Sequence, residues 1–174
     1  TAVHMGVYNK IEVYYHQIRN SIVSYGKMRN SMEQSTHFKD IENTLNKHYS
    51  DHLEFNWSAI LDELNNCISS IILRQVHTRN KIPLIYEDKS PVNVIVVGGL
   101  SLARGFTLEG LSVSYFLRGT KLNDTLMQMA RWFGYRDEYE DLCRVFMTNE
   151  LQENYRQIEL QTNDLFEKFH LMAD

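Results

Sequence analysis

Proline is nearly missing from this chain: Pro83 and Pro91 are the only two in 174 residues, beside eight glycines. That scarcity excludes the proline- and glycine-rich composition of a disordered segment. Cysteine is equally rare. Cys67 and Cys143 stand far apart in apolar settings, so no disulfide framework is available, and two reduced, packed thiols of a cytoplasmic protein are expected. No apolar run approaches the roughly 20 residues that a membrane helix needs, and "VIVV" is among the longest. No charged-then-apolar leader is visible, so no secretory signal is read. The first residue is Thr1 and not methionine, and the chain is therefore expected to be an excerpt of a longer one.

Positive charge is also short. The formal net charge is -4, which excludes a protein that coats nucleic acid nonspecifically but leaves room for a local basic groove. Two nucleotide-binding signatures are missing as well. No "GxxxxGK[ST]" occurs, so nothing here cradles the β- and γ-phosphates of a nucleotide. No strand ends in a "DExx" pair for magnesium; "DEL" at Asp62 and "DEY" at Asp137 have no such strand before them. His48 and His52 have the i, i+4 spacing of a metal clamp, but no third ligand accompanies them, and no metal site is expected.

What is present is an alternation of helix and strand patterns. "TAVHMGV" reads as a short strand, and Ile11, Tyr14, Tyr15, Ile18 and Ile22 then recur at helical spacing up to Gly26. Residues 27 to 50 are polar and read as irregular. Leu53, Trp57, Ile60, Leu61, Leu64, Ile68 and Ile71 form one stripe of a helix, with Ser50 or Asp51 as its expected cap. "RQVHT", "VNVIVVGG", "LSVSYFL" and "DLCRVFM" read as strands, the second as one buried on both faces. "NDTLMQMARWFG" reads as a short helix. The end is expected to be a long helix or a broken pair, with Leu151, Tyr155, Ile158, Leu165 and Phe169 inward. Strands alternating with helices predict an α/β domain on a mainly parallel sheet, whose ligands bind at the carboxyl ends of the strands.

That rule draws attention to "GGLSLARG", just after "VNVIVV". Gly98 and Gly99 let backbone approach a ligand, and their N–H groups suit phosphates. The plainer reading is a tight turn followed by a surface arginine. "DTLMQMARWFGYR" adds Arg131 and Arg136 in an apolar run. A planar guanidinium fork binds phosphate oxygens bidentately. Alternatively, the two arginines pair with Asp137, Glu138, Glu140 or Asp141. Glu87-Asp88-Lys89 in "LIYEDK" is an E-x-K of the kind nucleases use with magnesium, but it lacks an upstream aspartate, and a solvated loop is the simpler expectation. Tyr14 and Tyr15 could stack bases, though packing of their helix on the sheet is the first expectation.

The run "ARGFTL", a strand, then a helix bearing "QMARWFGYR" resembles motifs V and VI of superfamily 2 helicases. The wider stretch from Val94 to Thr148 resembles the Z1 domain family, in "LEGL-VSYF", "DTLMQM-RWFGYR" and "YEDLCR", and "AVHMGVYNKIEVYYHQI" resembles that family's motif IV region more loosely. The resemblance implies a single RecA-like three-layer α/β domain over residues 1–174, with a helical insertion at about 27–75 and C-terminal helices. It implies that Arg131 and Arg136 are catalytic arginine fingers, and that Gln128, Arg104, Gly105 and Thr107 couple nucleotide to nucleic acid. It also implies that Gly98, Gly99, His4 and Gly6 contact nucleic acid. ATP and Mg2+ would be held mainly by a preceding RecA-like domain of the same parent, with DNA as partner, a nuclease domain or subunit as a further one, and no membrane. Four features depart from the helicase pattern: Ala130 stands for glycine, Thr107 for aspartate, Gln128 lies one residue nearer the arginine, and the spacing from Arg131 to Arg136 is longer, though it fits the Z1 pattern.

The expected function is thus the second half of a DNA-acting ATPase of a bacterial restriction or defence protein, whose isolated chain turns over no appreciable ATP. The alternatives are a non-catalytic nucleic-acid or protein binding module of an endonuclease, or the nuclease domain itself.

Overall fold

A computed structural model describes residues 2–25, 35–50, 56–76, 92–99, 102, 108–116, 127–128 and 139–173 of the chain. Its contacts divide the chain into two compact units, residues 1–106 and 107–174. Mixed helix and strand is the outcome, and both described strand pairs are parallel. Among the described residues no helix is long and apolar enough to cross a membrane.

The first unit begins with helix α1, Ala2–Tyr25. The strand expected at "TAVHMGV" is therefore corrected: His4 and Gly6 lie within α1. Alternating Val3, Met5 and Val7 suggested a strand. A lone glycine costs a helix only about 1 kcal/mol, whereas a helix satisfies its backbone groups within the segment. Val3 and Met5 are exposed on it. Further along, Ile11, Tyr15, Ile18 and Ile22 form the inward face at helical spacing, and Ile22 is fully buried. Tyr14 points out to solvent, contrary to the packing expected of it, because it sits one residue, or about 100°, off that face.

The stretch read as irregular holds a second helix, α2, Thr36–Tyr49. Its apolar residues are few, but Phe38 and Ile41 share one face, and Phe38 is buried in a cluster with Ile22 of α1. A sparse stripe suffices because the other face is solvated. Helix α3, Trp57–Ser70, is capped by Asn56, whose side-chain oxygen accepts the Ala59 N–H at 2.9 Å. Asn56 thus replaces Ser50 and Asp51 as the cap. Ile18, Ile22, Phe38, Ile41, Leu61, Leu64 and Ile68 make the core of the three helices.

Strand β1, Ile72–Val76, pairs in parallel with β2, Val94–Gly98, in the register Ile72↔Val94 to Val76↔Gly98. The first strand thus starts two residues before the expected "RQVHT". Asn93 ties the entry of both strands to α3. Its carbonyl accepts the Ile72 N–H at 2.9 Å, and its amide donates to the Ser70 hydroxyl at 2.8 Å. Every residue of β2 is at least half-buried, as its unbroken β-branched run predicts, and α1 packs against it.

In the second unit β3, Val113–Phe116, pairs in parallel with β4, Arg144–Met147, in the register Val113↔Arg144 to Phe116↔Met147. Parallel neighbours cannot be joined by a tight hairpin, and β3 and β4 are accordingly far apart along the chain. A 3-10 turn, Glu140–Leu142, leads into β4. Helix α4, Asn149–Ala173, follows as one element rather than a broken pair. Thr148 caps it, accepting the Leu151 N–H at 3.2 Å. Leu151 and Ile158 are buried as expected, but Leu165 and Phe169 are more than half exposed. The heptad-like spacing that runs through all four residues continues past the point where the unit has anything described to cover it.

The expectation of two packed thiols holds for one of them only in part. Cys143 is half-buried and its thiol lies 3.5 Å from the Tyr139 carbonyl oxygen, whereas Cys67 is exposed on the solvent side of α3.

Candidate functional site

The glycines that end β2 come first. Gly98 is the last residue of the strand, in register with Val76, and Gly99 begins a turn in which the Leu102 N–H donates to the Gly99 carbonyl at 2.9 Å. Because β1 and β2 are parallel, both strands present their carboxyl ends here, the edge at which α/β sheets bind ligands. The need for glycine at position 98 is steric. A Cβ there would lie 2.7 Å from Leu102 Cγ and 2.9 Å from the Val76 carbonyl oxygen. Neither glycine has a positive φ; among the described residues that conformation belongs to Gly110, at 69°. Close packing, not turn geometry, therefore excludes a side chain at Gly98.

The arginine-bearing segments adjoin these elements in sequence. Arg104, Gly105 and Thr107 follow the β2 turn and lie outside the described residues, as do Arg131 and Arg136. In chain order Arg131 and Arg136 come between β3 and β4. Gln128 is described, half-buried, in a short helical stretch with Met127, between the same two strands in chain order. Glu87, Asp88, Lys89 and His52 also lie outside the described residues. Of the remaining candidates, Gly98 and Gly99 are brought together at a strand end. His4 and Gly6 are not, since they fall in the first turns of α1. Among the described residues nothing approaches within 4 Å of a Cβ built at Gly6.

Two features escaped the sequence. One is Leu102, seated over Gly98; the only signal was an apolar residue in a glycine-rich turn. The other is an open groove of about 340 Å³ along β4 and the start of α4, lined by Tyr115, Val145, Phe146, Met147 and Gln152. The Tyr115 and Phe146 rings are register partners with centroids 6.3 Å apart. Simple alternation would have turned Val113 and Tyr115 inward. Both are exposed, and Ser114 and Phe116 take the inner positions.

Shifted titrations lie away from these features. The Arg156 guanidinium, bonded to Glu153 through two nitrogens at 2.9 and 3.0 Å, holds that carboxyl down at about 2, helped by a hydrogen bond from Gln157. The same contact raises Arg156. Burial pushes the Tyr155 phenol up. The exposed Glu153–Arg156 pair spans one turn of α4 and reads as helix support. Among the described residues no three His, Cys, Asp or Glu side chains come together in a way that could hold a metal ion, so no step through magnesium is assigned to them.

Comparison with known families matches the chain over its whole length: the family model described as the Z1 domain covers residues 1–174. No curated protein and no solved structure matches the chain.

Proposed function

This chain belongs to the Z1 domain family, and on that premise we propose that it is the second RecA-like half of a DNA-acting ATPase in a bacterial restriction or defence protein. A preceding domain of the parent holds ATP and its magnesium. This chain supplies the arginines that reach the nucleotide and the groups that couple it to DNA.

One observation carries the reading. In chain order "ARGFT" comes after β2, and "QMARWFGYR" comes between β3 and β4. Segments that leave the carboxyl ends of parallel strands are where such sheets meet nucleotides. An apolar run carrying two guanidinium groups is costly to bury unless an anion meets them. The γ-phosphate is that anion in this reading. Arg131 stabilises the charge that develops as the phosphoryl group leaves, Arg136 holds a neighbouring oxygen, and Gln128 bridges to the DNA side. Arg104 and Thr107 couple the two events. The chemistry of activating water belongs to the bound metal and the other domain, and the chain by itself turns over no appreciable ATP.

The test is DNA-stimulated ATP hydrolysis by the intact parent, wild type against Arg131→Ala, with the isolated chain as control. An arginine finger is worth roughly a thousand-fold or more in rate. A loss of that size with folding intact is expected. An unchanged rate would make "QMARWFGYR" scaffold and turn the chain into a binding module.

A further inference from the structure

Helix α4 carries one apolar stripe along its whole length. Leu151, Ile158, Leu165 and Met172 recur every seven residues, and Tyr155, Thr162 and Phe169 follow the first three of them by four. Alternating steps of four and three make the seam of a helix that packs along another helix. Thr162 does not interrupt the seam, because its hydroxyl donates to the Ile158 carbonyl oxygen at 2.7 Å within the helix. The two halves differ in burial. Leu151 and Ile158 are buried, whereas Leu165 is 52% exposed, Phe169 57% and Met172 82%. Phe166, 60% exposed, widens the outer half at its edge.

Area and charge decide what fits that outer half. Taking roughly 200 Å² for each of these large side chains, the exposed parts of Leu165, Phe166, Phe169 and Met172 come to about 500 Å². Two copies sharing this face bury about 1,000 Å², the size from which a specific contact holds. Two-fold pairing uses one patch twice, so a charged patch would repel its own copy. Here the flank is neutral, because Lys168 Nζ lies 2.6 Å from an Asp164 carboxylate oxygen. An acidic or a basic partner gains nothing from such a face, and a second copy meets no repulsion on it.

We propose that the outer half of α4, from Leu165 to Met172, is a self-association surface on which two copies of this chain pack helix against helix. The inference stands on this helix alone and does not rest on the ATPase reading.

The experiment is sedimentation equilibrium of the 174-residue chain across the micromolar range. A reversible monomer–dimer equilibrium is expected. Leu165→Glu combined with Phe169→Glu should weaken it about a hundred-fold or more, since a few central residues carry most of the energy of a contact. Both side chains are exposed in the single chain, so the helix should survive, and circular dichroism checks that it does. Leu160 and Leu171 serve as controls. They are 50% and 79% exposed on the same helix, but at about 100° per residue they lie roughly 160–180° round from Phe169. Leu160→Glu combined with Leu171→Glu should leave the dimer unchanged. A chain that stays monomeric at every concentration overturns the inference and leaves the face to another part of the parent. A dimer that the two pairs weaken equally, or that neither weakens, overturns it as well, because the seam would then not be what holds it.

Discussion

The hydroxyl of Tyr15, on the first helix, lies 3.0 Å from the carbonyl oxygen of Ile68, at the far end of the third, 53 residues along the chain. The Ile71 carbonyl oxygen is also 3.0 Å away. The last carbonyls of a helix have no partner within it, and one phenolic proton here serves the closing turn of α3 just before β1 begins. A side chain of α1 thereby helps to fix where the sheet starts.

Removing that proton donor tests the arrangement. Tyr15→Phe keeps the ring and loses the bond, and a hydrogen bond of this kind contributes about 1 kcal/mol net. For a chain of this size that corresponds to a fall in Tm of roughly 2–4 °C. Thermal unfolding of both proteins measures it. An equal Tm would mean that water serves the two carbonyls as well as the phenol does.

Gly98→Ala probes the sheet edge. The added methyl would meet a leucine side chain, which can move, and a backbone oxygen of β1, which cannot without disturbing the strand pairing. Overpacking of this kind costs about 1–3 kcal/mol. Combining it with Leu102→Ala should recover only part of the loss, because the Val76 oxygen remains. Chemical denaturation of the three variants separates the two contributions. Full recovery would show that the leucine alone demands glycine.

Glu153 offers a pH test with a definite sign. Its carboxyl titrates at about 2 in the folded chain against an ordinary value of 4.5. A depressed folded value contributes stability above the unfolded value that fades as pH falls from about 4.5 towards 2, because the unfolded chain takes up the proton first. The pair is exposed on both sides, so its contribution is small and screened by salt. An NMR titration should find the Glu153 carboxyl low in wild type and returned most of the way to 4.5 in Arg156→Ala, with a lesser rise in Gln157→Ala. A wild-type value near 4.5 would mean that solvent breaks the pair.

Several elements are legible in the amino-acid order alone. The β-branched run Val94–Val97 reads as a strand buried on both faces because its composition suits no exposed surface; it is a strand, with Val97 buried and Val94 to Val96 partly so. Ile11, Tyr15, Ile18 and Ile22 repeat at helical spacing and do form one face. Other places mislead for identifiable reasons. Val3, Met5 and Val7 alternate, but nothing in an alternation says whether a partner strand exists. Phe38 and Ile41 are too few to mark a helix by periodicity, yet packing of one aromatic among the residues of two other helices is enough to bury it. Asn56, not the more upstream Ser50 or Asp51, caps α3, since several capping residues in a row leave the start undecided until packing selects it.

The sequence by itself determined the family, the order of strands and helices around β2 to β4, and the placing of Arg104 after one strand and of Arg131 and Arg136 between two others. These follow from local composition and from motifs read along the chain. Only the tertiary structure decided which strands pair and in what register, that Leu102 takes the space above Gly98, that Tyr15 closes α3, and that Leu165 and Phe169 stay exposed while Leu151 and Ile158 do not. Each of those depends on a contact between residues distant in sequence or on the reach of a neighbouring element, and periodicity along one segment carries no information about either.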